Sequence, residues 1–477
     1  MHFPKLAERA GFEPAVPFWG TYDFQSYTFG RSVTSPENGW KNLSQNERHS
    51  ASSYFLALQS LTGCGNQDSI KPVMNKRKYI ILIGDGMADY PQEALGGKTP
   101  LQVADIPNMR RAAALGEARL VNTVPPGMSP GSDVANLSIM GFDPAEYYKG
   151  RAPIEAVGAG IEVAPDDVAF RCNLITVENG LITDHSSGHI STEEARPLIE
   201  LLDKKLGSGE KRFFTGTSYR HILIWKNGPH DGLVTTPPHD VLGQPAANHL
   251  PSGSGADKLT ILMNESRNIF AGHPINEKRR AAGNNVASQI WLWGQGRSMS
   301  LPSYQKLFGL TGGVVTAVDL VRGIGRLAGL EAKVIKGATG YLDTDYDAKV
   351  KAALEILEKR DFVFVHVEAP DECGHKGDLQ LKIKAIEDFD LKIVGPIWKA
   401  LNEQGRTYRL VIGTDHRTPV NVRNHTAEPV PMAVVDGPIE RIEKQKGKQG
   451  QFDEFINAER SSGMAFEWLQ ILLNNRR

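Results

Sequence analysis

From Met74 onward the chain repeatedly sets a short, strongly apolar run against a stretch of helical spacing, and that alternation restricts it to few architectures. Tyr79–Ile83, Phe362–Val367, Arg409–Ile412 and Met432–Val435 read as strands, while Ala348–Lys359 and Leu379–Leu401 carry helical spacing. Strand alternating with helix implies a mostly parallel α/β sheet flanked by helices. Between about 155 and 295 the texture changes. "VAFRCNLITVENGLITDH" and "RHILIWKNGPHDGLVTTPP" read as alternating strands joined by Asn-Gly and Gly-rich turns. The expectation is therefore an α/β domain from 74–154 and 297–477, interrupted by an inserted α+β domain at 155–296. "HLPSGSGADK" reads as a flexible loop within the insert.

Length agrees, since 477 residues exceed one ordinary core. Residues 1–73 differ from the rest: they are rich in Ser, Asn and aromatic residues and show no sustained period. They are expected to be an unstructured or mis-called N-terminal extension, with Met74 as the true start. A formal net charge of −1 gives no basic field for nucleic acid. No apolar run approaches the ~18 residues of a membrane span. Cys64, Cys172 and Cys373 are too few for a disulfide framework and suit a reducing cytosol. "LTGC", Leu61–Cys64, resembles the cleavage box of an exported lipoprotein, but it lies too late and its upstream stretch is too polar. The expected location is cytoplasmic.

In open α/β sheets, sites form at the carboxyl ends of the strands. "YIILIGDGM" ends at Asp85, "FVFVHVEAPDECGH" at Asp371 and His375, and "RLVIGTDH" at Asp415 and His416; His425 follows in "VRNHTAEPVP". Three aspartates and three histidines are enough for two divalent cations. Carboxylate with imidazole suits Mn²⁺, Zn²⁺, Co²⁺ or Fe²⁺, whereas Mg²⁺ usually takes oxygen alone. Taken singly, an Asp after a strand is an ordinary helix cap and a His an ordinary surface or core residue. Cys373, between two of these groups, reads as a small packing residue.

In "PPGMSPGSDVANLSIMGF" a Gly-Ser-Asp triplet precedes a helical pattern, Val134–Met140. Ser132 then stands at a helix N-terminus, where free N–H groups and the dipole favour a phosphate. Ser is also a favoured cap, so the position serves either role. Beside a metal, its hydroxyl becomes a candidate nucleophile. Ser129 is a weaker rival, placed before a proline.

These segments, with "YYKGRAPIEAVGAGI", "DHSSGHISTEEARPLI", "IWLWGQG" and "GATGYLDTDY", resemble the archaeal-type branch of cofactor-independent (2,3-bisphosphoglycerate-independent) phosphoglycerate mutases, in the alkaline phosphatase superfamily. The resemblance runs from about Lys78 to the C-terminus. It implies an alkaline-phosphatase-like sheet with the insert as a lid. It implies interconversion of 3-phosphoglycerate and 2-phosphoglycerate through a phosphoserine, without a 2,3-bisphosphoglycerate cofactor. Ser132 is then the nucleophile; Asp85, Asp415 and His416, with Ser132, hold one metal, and Asp371, His375 and His425 the other. The family usually takes Mn²⁺, with Mg²⁺, Co²⁺ or Zn²⁺ also used. The usual "EAPDEAGH" reads "EAPDECGH" here. His189 is a candidate acid or hydrogen-bond donor to the phosphate, and Arg151, Arg220, Arg279, Arg280 and Arg297 are candidates for binding the substrate's anionic groups. A small phosphoglycerate is the expected partner, with no nucleic acid and no membrane, and oligomerisation is left open. The rival readings are a related phosphotransferase or phosphomonoesterase, acting on homoserine or another small phosphate ester, and a non-catalytic metal- or phosphate-binding protein.

Overall fold

Apolar runs that end at charged residues become strands buried on both faces, with their charges delivered at one edge. The computed structural model describes residues 77–439, 449–456 and 462–474. The expectations for residues 1–73, the Leu61–Cys64 box included, lie outside them.

Fourteen strands occur among the described residues: β1 (Lys78–Gly84), β2 (Glu117–Asn122), β3 (Asp167–Glu178), β4 (Leu181–Asp184), β5 (Lys211–Phe214), β6 (Arg220–Lys226), β7 (Leu233–Val234), β8 (Ser252–Gly253), β9 (Gln289–Arg297), β10 (Gly312–Val315), β11 (Phe362–Val367), β12 (Tyr408–Gly413), β13 (Val430–Gly437) and β14 (Ser462–Met464). Seven form one sheet in the order β10-β11-β1-β12-β13-β2-β14. Only β13 opposes its neighbours; every other pairing is parallel. The expected mostly parallel α/β sheet is what this half of the chain builds. All six residues of β11 are buried, as are Ile80–Gly84 of β1.

The region whose texture changes forms a second, antiparallel sheet, β4-β3-β6-β5, with β9 also on β3. The Asn179-Gly180 turn between β3 and β4 has positive φ at both residues, 50° and 80°, as a two-residue hairpin turn of primed type requires. No helix among the described residues is long and apolar enough to cross a membrane.

The long helical pattern at Leu379–Leu401 is not one helix. It runs as Leu379–Phe389, a wider π turn at Asp390–Val394, then Gly395–Glu403. At the turn the Asp390 carboxylate accepts from the backbone N–H groups of Asn108 and Met109, the start of another helix. This local widening serves a tertiary contact.

Beneath the strand ends lies a buried ammonium. Lys382 Nζ is 2.7 Å from Asp89 Oδ2 and donates to the carbonyls of Ala88 and Thr418 at 3.2 and 2.7 Å. Both side chains are inaccessible to solvent. Asp89 also accepts from the Val420 N–H. One cation thus clamps the loop after β1 to the loop after β12. Removing one partner of a buried pair strands the other charge, so Lys382→Met is expected to cost on the order of 3–5 kcal/mol of stability. Calorimetric unfolding checks this, and Lys382→Met/Asp89→Leu should recover much of the loss.

Candidate active site

β11, β1 and β12 are adjacent, so their carboxyl ends open side by side. Asp85 follows β1, Asp415 and His416 follow β12, and the helix Ala369–Lys376 after β11 carries Asp371 and His375 four residues apart on one face. The loop before β13 adds His425. The helix Ser132–Ile139 points its first residue at the group. Ser132 Oγ lies 3.1 Å from His416 Nε2. That nitrogen is 3.3 Å from Asp85 Oδ1 and 3.5 Å from Asp415 Oδ2. Beside it, Asp371 sits 3.3 Å from His375 Nε2 and 3.4 Å from His425 Nε2, and the two histidine nitrogens are 3.0 Å apart. All seven residues expected to bind metal therefore converge.

The donors fit divalent cations. Ligand atoms about 2.1 Å from one tetrahedral ion stand roughly 3.4 Å from each other, close to the separations here. Asp85, Asp415 and His416 can hold one ion; Asp371 and His425, with His416 on their border, can hold another. The outer nitrogens of the rings are already engaged. His375 Nδ1 faces the Arg423 carbonyl at 3.0 Å, and His416 Nδ1 faces Thr418 Oγ1 at 3.2 Å. Protons held there leave both Nε2 lone pairs aimed inward. The Thr418 hydroxyl also donates to Asp371, so one side chain orients a ligand in each group.

Electrostatics agree with a site for cations. Burial pushes the Asp85 carboxyl well up, and Asp415, Asp371 and Glu368 push it further. Burial also opposes charge on Asp415, but His416, His366 and the Gly86 N–H outweigh it and hold that carboxyl down. Burial drives His416 down to about 4, so its ring is neutral. His375 resists burial because Asp371 lies beside it, and it is lifted to about 9. Gly86 is a packing necessity: its φ is +61°, and a Cβ there would stand 2.5 Å from Thr418 Oγ1 and 2.8 Å from the Asp371 backbone.

The second sheet and the helices beside it supply cationic and aromatic groups, though not all those expected. Arg151 Nε is 2.7 Å from Glu155. Arg220 lies within charge range of Glu155, Glu368 and Glu372, the last two flanking Asp371. Three of the candidate arginines are committed elsewhere. Arg279 is buried and bonded to Glu194, to the Asn285 carbonyl at 2.8 Å and to the Ser187 carbonyl at 2.7 Å. Arg280 pairs with Glu277, and Arg297 with Asp231, both at the surface. Arg279 thus secures the loop that carries His189, whose own φ is +48°. The His189 ring meets the edge of Tyr219, beside His185 and His239.

Several participants are absent from the sequence reading. Asn136 donates to Asp415 Oδ2 and to the Ser132 carbonyl, both at 2.9 Å; its position four residues past Ser132 on a helix was the available signal. His366 Nε2 lies 3.2 Å from Asp85 Oδ2, and its signal was a lone imidazole in an otherwise apolar strand. Arg171 was the one charge in β3 between its end residues Asp167 and Glu178. Cys373 is buried in the core, and burial pushes its thiol up to about 11.

A family profile described as 2,3-bisphosphoglycerate-independent phosphoglycerate mutase matches residues 113–276. A protein of that name from Methanosarcina barkeri is 50% identical over 357 residues, covering 75% of this chain and 90% of the relative. The chain belongs to the 2,3-bisphosphoglycerate-independent phosphoglycerate mutase family. Another relative, from Geobacter sulfurreducens and named a probable mutase of this kind, is 47% identical over 394 residues, covering 82% of this chain and 97% of its own. Among solved structures, a Pyrococcus horikoshii protein matches with a TM-score of 0.69 and 30% identity over 84% of this chain and 98% of that one. A cofactor-independent phosphoglycerate mutase from Thermoplasma acidophilum shares the fold, with a TM-score of 0.54 at 24% identity over 84% of this chain and all of that one.

Two expectations follow for this member of the family. A cation must displace a proton from His375 below about pH 9. Affinity for a divalent ion should therefore strengthen as pH rises to about 9 and then level, with proton release visible by calorimetry in buffers of different ionisation enthalpy. Thr418→Val keeps the shape of the side chain but removes the hydroxyl, and should weaken metal binding by about 10–100-fold. Titration of the metal-stripped protein measures it.

Proposed function

We propose that this chain interconverts 3-phosphoglycerate and 2-phosphoglycerate through a phosphoserine at Ser132, with two divalent cations and no bisphosphate primer. The observation that carries the reading is Ser132 Oγ, 3.1 Å from His416 Nε2 and beside two groups of carboxylate and imidazole donors. Asp85, Asp415 and His416 are assigned to one cation and Asp371, His375 and His425 to the other, with Mn²⁺ the proposed occupant. When bound, such cations neutralise phosphoryl charge and lower the pKa of a coordinated hydroxyl.

The chain's own groups do the rest. Ser132 Oγ, which would enter as the alkoxide with its proton already lost to solvent, attacks phosphorus as the bond to the substrate oxygen breaks; the proposed acid His189 gives that oxygen a proton and takes one back from the glycerate hydroxyl that attacks in the return step, so that Ser132 leaves again as the alkoxide. The glycerate turns, its other hydroxyl attacks the phosphoserine, and Ser132 Oγ departs. Phosphoryl transfer has a loose transition state, so holding the oxygens in line and stabilising charge supply most of the catalysis. Asn136 fixes Ser132 against Asp415, and the first N–H groups of helix Ser132–Ile139 favour the phosphoryl charge. Water would turn the phosphoserine into a phosphatase intermediate. We assign residues 155–296 as the lid that keeps it out, and Arg151 and Arg220 as the arginines nearest the substrate.

Ser132→Ala should abolish conversion of 3-phosphoglycerate in an enolase-coupled assay while metal content stays intact. Mass spectrometry of the Mn²⁺-loaded protein, quenched with substrate, should find phosphate on Ser132. Full activity in the variant, or phosphate on another residue, overturns the proposal.

A further inference from the structure

Gly131 caps helix Ser132–Ile139 and has no side chain with which to hold the first N–H groups. Asp133, the second residue of the helix, takes one of them: its Oδ1 accepts from the Val134 N–H at 3.0 Å. The N–H groups of Ser132 and of Asp133 itself have no hydrogen-bond partner among the described residues. They are the donors nearest a phosphoryl group carried on Ser132.

The Asp133 carboxylate is buried and held from two sides. Tyr148 Oη donates to its Oδ2 at 2.6 Å. A Cβ at Gly131 would stand 2.8 Å from its Oδ1, so the carboxylate folds back over the helix start and Gly131 leaves it room. The Tyr148 ring packs with Val124, Met128, Val134 and Ala135, which fixes where its hydroxyl points. The backbone beside it is braced as well: a Cβ at Gly150 would stand 2.4 Å from the Gln295 carbonyl on β9. Burial and the neighbouring Asp133 push the Tyr148 hydroxyl up, so it stays protonated and remains a donor.

An acid beside a phosphoryl acceptor is a competitor. The helix dipole and free N–H groups that favour a phosphate favour a carboxylate just as well. Released from Tyr148, the Asp133 side chain could turn onto its own N–H or that of Ser132, and its charge would repel the incoming phosphoryl group. We propose that Tyr148 is a positioning residue for phosphoryl transfer: by holding the Asp133 carboxylate on the Val134 N–H, it keeps the N–H groups of Ser132 and Asp133 open to the phosphoryl group. The inference rests on the mutase reading above, with Ser132 as acceptor. Tyr148 acts here only through Asp133.

The test uses the full chain loaded with Mn²⁺ and carrying Tyr148→Phe, which keeps the ring in its apolar cluster and removes the hydroxyl. In an enolase-coupled assay, kcat for 3-phosphoglycerate should fall roughly 10- to 100-fold, the worth of one hydrogen bond to a charged group. Inhibition by orthovanadate, which mimics five-coordinate phosphorus, should weaken by a similar factor. Mn²⁺ affinity should stay at the parent's value, because the carboxylate and imidazole donors are untouched. Adding Asp133→Asn should restore most of kcat and of the vanadate inhibition, since an uncharged amide does not repel the phosphoryl group. A Tyr148 that only supports the fold gives no such rescue, because the second change removes a further contact. If Tyr148→Phe does not fold, the double variant, which strands no carboxylate, is compared directly with the parent and should turn over at a similar rate. Parental kcat in folded Tyr148→Phe, or a folded double variant that is as impaired as the single one or inactive, overturns the assignment and leaves the mutase reading standing. No turnover by the parent overturns both.

Discussion

Three aspartate carboxylates, Asp85, Asp371 and Asp415, are buried close together, and mutual repulsion in such a place is the constraint on which the architecture turns. Two of the three are met by donors brought from elsewhere. The N–H groups of Gly86 and His416 and the Asn136 amide converge on Asp415. Thr418 serves Asp371, whereas Asp85 Oδ1 finds no hydrogen-bond partner among the described residues and His366 Nε2 lies 3.2 Å from its other oxygen without bonding to it. These contacts come from residues at the ends of β1, β11 and β12 or one turn beyond, plus the helix that starts at Ser132. Adjacent parallel strands make that possible, because parallel neighbours release their next residues on the same edge.

The same geometry explains why one hydroxyl stands apart from the other serines nearby. Ser132 is set by its own helix, by the Asn136 link to Asp415 and by contact with His416, so its position follows from the cluster. Across from it, helix Arg151–Gly158 is the joint between the two sheets: its alanines pack on β3 and β6, while Arg151 and Glu155 engage charged partners. Apolar and ionic contacts on that single short helix fix how the arginines of the second sheet stand.

The ligand residues were legible because strand ends are legible. β11 occupies the run Phe362–Val367 that its apolar residues mark, and a run's last residue tells where its side chains emerge. Partners distant in sequence were not. The π turn at Asp390 exists for Asn108 and Met109, which hydrophobic spacing within Leu379–Leu401 does not record. Arginines chosen by residue type alone divided unevenly: Arg279, Arg280 and Arg297 found acids or carbonyls of their own, Arg151 pairs with Glu155, and Arg220 lies within charge range of Glu155, Glu368 and Glu372; Arg171, which was not among them, meets Glu155 and Trp293 only through the fold. Asn136 was within reach, since helical spacing from Ser132 already placed it on the right face.

The Lys382 ammonium has an effect on motion as well as on stability. It grips Ala88 and Asp89 on one side and Thr418 on the other, and each of these lies within a few residues of a carboxylate in the pocket. Neither loop can drift outward without dragging its companion or breaking the grip. Fluctuations that expose Asp85 and those that expose Asp415 therefore belong to one opening event, and the pocket exists whole or is lost whole.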